Sequence, residues 1–118
     1  MNKTNDMSIE KLCYGMGGLT MTISMAVLIA ASSESLKDTK EFQKMFAQFN
    51  SFNELVKKDF GSSKELSRNT VISEGRKFIN ELNVVRKLPE ADSKDIQEVI
   101  TDTNEVVISI IEQKQKLE

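Results

Sequence analysis

LCYGMGGLTMTISMAVLIAASS, residues 12–33, is a run of 22 amino acids without a charge, bracketed by Lys11 and Glu34. A helix of that length rises to roughly 33 Å, enough for a hydrocarbon core about 30 Å thick. Strongly apolar aliphatics stand at Leu12, Leu19, Ile23, Val27, Leu28 and Ile29, helped by Met16, Met21 and Met25. Gly15, Gly17, Gly18 and five hydroxyl side chains pull the other way, so insertion into lipid is favoured by little. We read the segment as a retained single-pass transmembrane helix. Two other readings stay open: a cleaved secretory signal, for which Ala30 to Ser33 offer small residues, and a helix buried in a soluble bundle. Lys3 and Lys11 on one side and Lys37, Lys40 and Lys44 on the other leave the positive-inside bias nearly balanced.

Within the run, Gly18, Thr22, Ala26 and Ala30 recur every four residues and form a small-residue strip on one helix face. In lipid such strips let two helix backbones approach closely, because packing rather than hydrophobicity drives association there. The strip is the expected contact with another membrane helix, either a second copy or a partner.

The rest of the chain carries helical spacing. Phe42, Met45, Phe49, Phe52 and Val56 keep the three-four rhythm of an amphipathic helix over 36–60, and Gly61 suits its end. Ser62 and Glu65 have capping-box spacing for a second helix over 63–87, with Val71, Phe78, Leu82 and Val85 inward. Pro89 disfavours helical geometry at Leu88 and so stops it. Asp92 or Ser93 can cap a third helix over 92–116, where Ile96, Ile100, Thr103, Val107 and Ile110 repeat in a heptad-like seam. These inward positions are the expected bundle core or a partner-binding groove. The stretch EVVISIIE, residues 105–112, is rich in β-branched residues that also suit a strand. No second convincing strand exists to pair with it, so the helical reading is kept.

Charge divides unevenly. Residues 57–88 carry eight Lys/Arg against four Asp/Glu, a net of +4, while residues 90–118 carry eight Asp/Glu against three Lys, a net of −5. Consecutive helices on short connections pack antiparallel, so these opposite charges most simply face one another. The net charge of −2 lacks the basic footprint of a nucleic-acid binder.

Chemistry is sparsely represented. The chain has no His and one Cys, Cys13, which removes intrachain disulfides, Cys/His zinc sites, histidine bases and Cys–His nucleophile pairs. Asp95, Glu98, Asp102 and Glu105 line one helix face, but a calcium loop needs a Gly-containing turn that is missing there. No Gly-rich phosphate loop or Ser nucleophile motif stands out.

The expected protein is therefore all-α: a polar tail over 1–11, an apolar membrane-type helix over 12–33, and an antiparallel bundle of two or three amphipathic helices over 34–118. Its expected work is non-enzymatic, by contact, as a subunit, scaffold or modulator of a larger assembly. Expected partners are a protein or a second copy, together with membrane lipid; no cofactor, metal, nucleic acid or small-molecule substrate is expected. The alternative is a soluble or exported helical-bundle binding protein of inhibitor, immunity or chaperone type, with residues 12–33 cleaved or in the core.

Overall fold

In the computed structural model, residues 9–61 and 67–116 are described, with side chains described from Leu12 to Phe60 and from Ser67 to Lys116. Every regular element among them is helical: α1 Ile9–Ala31, a single turn α2 Glu34–Lys37, α3 Lys40–Gly61, α4 Arg68–Arg86, a 3-10 turn Pro89–Ala91, and α5 Lys94–Lys116.

The helix ends follow local chemistry. Ser33 accepts a hydrogen bond from the Leu36 amide and starts α2. Thr39 then accepts from the Phe42 amide at 3.1 Å, so α3 begins at Lys40 rather than at 36. These two caps, six residues apart, cut one expected helix into a turn and a long helix. The Ser62–Glu65 capping spacing lies outside the described residues; within them α4 starts at Arg68, capped by Ser67. At Leu88 the backbone is extended, ψ 142°, and Pro89 opens the 3-10 turn. Ser93 accepts from the Ile96 amide and caps α5, which runs as helix straight through residues 105–112. The Gln97 amide donates to the Arg86 and Ala91 carbonyls at 3.0 and 2.7 Å, closing the α4–α5 connection.

The four long helices alternate in direction. Glycines 15 and 18 of α1 lie against Phe60 and Val56 of α3, so residue numbers rise on one helix as they fall on the other. Gly17 meets Ile110, and Ser24 shares a hydrogen bond with Thr103, which sets α5 antiparallel to α1. Gln48 reaches Glu74 and Lys44 reaches Glu81 between α3 and α4. Arg86 reaches Thr101 and Asn104 reaches Asn83 between α4 and α5. The result is an up-down-up-down four-helix bundle with perimeter order α1, α3, α4, α5. The apolar segment read from the sequence as a helix apart is thus packed as the fourth member of the bundle, on α3 and α5.

One continuous core runs through it. Phe42, Met45, Phe49, Phe52 and Val56 from α3, Val71, Phe78, Leu82 and Val85 from α4, and Ile96, Ile100, Val107 and Ile110 from α5 are all buried. They join Tyr14, Met21, Met25 and Leu28 of α1 in a single cluster. Phe78 sits between Phe49 and Phe52 with ring centroids 5.7 and 6.4 Å away, within the range where tilted aromatic pairs add to area burial. Gly75 lets α4 approach closely: a Cβ there would lie 2.9 Å from Ile111 and 3.1 Å from Phe52.

Candidate functional site

Helix α1 has two apolar seams on opposite faces. The inner one is Tyr14, Gly18, Met21, Met25 and Leu28, continued by Ser32 just past the helix end, spaced four-three-four-three-four, and all six are buried. Offset by two residues, with the same spacing, stand Leu12, Met16, Leu19, Ile23, Ala26 and Ala30, all exposed. Leu19 and Ile23 keep 67% and 65% of their surface in solvent, and Met16 keeps 56%. A two-residue offset is about 200° on an α-helix, so the second seam points directly away from the bundle. A helix in a soluble bundle normally carries polar side chains there.

Beside the outer seam, between α1 and α3, lies a groove of about 380 Å³ walled by Leu12, Met16, Leu19, Val56 and Phe60. Gly15 and Gly18 lie along it, with Thr22, Asn53 and Lys57 at its edges. Thr22 donates to the Gly18 carbonyl at 3.1 Å and reaches Asn53 Oδ1 at 3.4 Å. The glycines permit the close approach on both flanks of α1. A Cβ on Gly15 would meet the Phe60 ring at 2.5 Å, and one on Gly17 would meet Ile110 at 2.7 Å. The small-residue strip is therefore divided: Gly18 is buried against Val56, whereas Thr22, Ala26 and Ala30 are exposed.

A buried polar cluster fastens the amino-terminal half of α1. Lys114 Nζ of α5 lies 2.9 Å from Asp59 Oδ2 of α3, with side chains 0% and 2% exposed. Tyr14 donates its hydroxyl to the same Asp59 oxygen at 2.9 Å, and the ammonium sits 5.9 Å from the Tyr14 ring centroid. The Lys114–Asp59 contact is ionic in character, the ammonium lying off the hydrogen-bonding direction. Three helices thus meet on one carboxylate. The cluster is sealed from solvent, with both charged side chains at most 2% exposed.

Other candidates from the sequence stay dispersed. Asp95, Glu98, Asp102 and Glu105 are exposed along α5, and among the described residues no three metal-ligating side chains gather. Cys13 is exposed on the flank of α1. Glu74, held by the Gln48 amide and then by Lys77, has its carboxyl below the usual glutamate range.

The outer seam was legible in principle as a second heptad within the uncharged run. The Tyr14–Asp59–Lys114 cluster had no sequence signal, because its members are 45 and 55 residues apart on three helices. Comparison with protein-family models, with curated proteins and with solved structures gives no match to this chain.

Proposed function

We propose that this protein is non-enzymatic and works by contact, as a subunit, scaffold or modulator of a larger assembly, with the outer face of α1 as its working surface. One observation carries the proposal: an uncharged seam of four large apolar side chains points away from a bundle whose core is already complete. Exposed apolar patches of that extent mark binding surfaces in soluble proteins.

The membrane is one setting for that contact. Leu12–Ala31 is a helix of 20 residues with mean hydropathy 1.7, long and apolar enough to cross a bilayer. A spanning α1 would have to leave α3 and α5, uncovering Val56, Thr103 and Ile110 to water and breaking the Tyr14–Asp59 hydrogen bond. The inner seam supports a second reading, in which residues 12–33 stay in the core of a helical binding protein while the outer face alone meets the partner.

The test is recovery of the full chain from detergent-extracted membranes and from the soluble fraction, with intact mass measured on each. Full-length protein confined to membranes supports the anchored form. Full-length soluble protein that loses its partner on Leu19→Glu supports the bundle form. A chain whose associations are indifferent to Leu19→Glu in both fractions refutes the outer face as a working surface.

A further inference from the structure

The outer seam has a symmetry that names its occupant. Written as a heptad, Met16, Ile23 and Ala30 hold one core position and Leu12, Leu19 and Ala26 the other. Laid against itself in the opposite direction, with Met21 at the centre, the seam sets its outer large side chains against alanines and its two central ones against each other. Leu12 meets Ala30 of the second copy, Met16 meets its Ala26, and Leu19 meets its Ile23; each layer then recurs by symmetry. Parallel pairing lacks this fit, since Leu12 and Met16 would face themselves at one end and alanines would face alanines at the other. We infer that two copies of this chain pair antiparallel through the outer faces of their α1 helices, an inference that rests on that face being the working surface.

Area and charge agree. Leu12, Met16, Leu19, Ile23 and Val27 are 46, 56, 67, 65 and 49% exposed. Together they offer roughly 500 Å² of apolar surface, near the upper end of what monomers leave uncovered. Two copies would cover about 1,000 Å², the lower bound for a specific interface. Residues 12–33 carry no charge that would repel a copy. The charge sits alongside: Asp95, Glu98, Asp102 and Glu105, at the amino-terminal half of α5, flank the carboxy-terminal half of α1. A parallel pair would gather both acidic groups at one end, where like charges oppose each other. An antiparallel pair keeps them at opposite ends, each toward the end where the other copy carries Glu112 and Lys116 rather than a second acidic group of four. A closed two-fold contact of this kind uses one surface patch on both copies.

The experiment is sedimentation equilibrium of the full chain in detergent-free buffer across micromolar concentrations, with flotation on phosphatidylcholine vesicles alongside. The expected result is a dimer at twice 13.3 kDa that Ile23→Glu converts to monomer while circular dichroism stays unchanged, since Ile23 takes no part in the core. Orientation is read by oxidation. In the antiparallel register the two Cys13 residues lie about 24 Å apart along the seam, so the wild-type dimer forms no disulfide, whereas Thr20→Cys in a Cys13→Ser background cross-links. A wild-type monomer, a dimer indifferent to Ile23→Glu, or a ready Cys13 disulfide overturns the pairing. A monomer that floats with vesicles leaves the outer face as the working surface and overturns only the second copy; a monomer that does not float removes the support for both.

Discussion

Breaking the buried ion pair at Asp59 and Lys114 should be far more damaging than removing it. Lys114 is fully buried with its ammonium 2.9 Å from Asp59 Oδ2, and Asp59 is 2% exposed. Asp59→Val strands the ammonium beside the Tyr14 ring without its counter-charge, for which about 3–5 kcal/mol of destabilisation is typical. Lys114→Met removes one partner of the carboxylate, to which the Tyr14 hydroxyl still donates, so that loss should be the smaller of the two. The double substitution Asp59→Val/Lys114→Met removes both desolvation penalties and should come within about 1–2 kcal/mol of the wild type. The assay is urea unfolding followed by circular dichroism, with all variants at one protein concentration so that self-association cannot differ between them. With a slope of about 2 kcal/mol per molar urea, Asp59→Val should lower the midpoint by roughly 2 M. The coupling between the two positions should therefore amount to several kcal/mol. Single losses below about 1 kcal/mol, or a double variant whose loss equals the sum of the singles, would refute the placement of this pair in a dry interior.

Five further substitutions test the same packing. Leu28→Ala, on the inner seam, should destabilise by about 2–5 kcal/mol in the same unfolding experiment, whereas Leu19→Lys, on the outer seam, should stay within about 0.5 kcal/mol unless pairing contributes. Among the glycines, Gly17→Ala should lose stability despite better helix propensity, because the new methyl meets buried Ile110 at 2.7 Å and overpacking costs about 1–3 kcal/mol against a gain of about 1. Gly15→Ala should be milder, since half-buried Phe60 can swing outward; thermal midpoints of the two variants measured side by side decide this. Glu74 is hydrogen-bonded by Gln48 and then by Lys77, which lowers its carboxyl pKa in the folded state. Its contribution is therefore present above the ordinary glutamate range and fades as pH falls through the depressed folded value. Gln48→Ala should flatten the acid limb of the stability curve there and leave neutral-pH ionisation unchanged; an unaltered acid limb contradicts the assigned hydrogen bond.

Much of the architecture lay in the sequence. Three-four spacing of Phe42 to Val56, Val71 to Val85 and Ile96 to Ile110 already specified three helices and their inward faces, because a helix brings residues three and four apart onto one side. Ser93 and Pro89 specified where α4 and α5 separate, since capping and the proline ring act within a few residues. The same local logic explains why residues 105–112 remained ambiguous until packing was known: β-branched side chains tolerate both geometries, and burial of Val107, Ile110 and Ile111 along one stripe favours the helix.

What local pattern could not decide was the surroundings of residues 12–33. Length and hydropathy give α1 the same description in lipid and in a bundle, because both place apolar side chains away from water. Only the tertiary structure separates its faces, by setting Tyr14, Met21, Met25 and Leu28 against α3 and α5 and leaving Leu12, Met16, Leu19 and Ile23 outside. It also decides that Asp59 and Lys114, unremarkable charges in a charged sequence, meet in the interior. That pairing depends on which helices become neighbours, and neighbours are chosen by the summed fit of four seams rather than by any one of them.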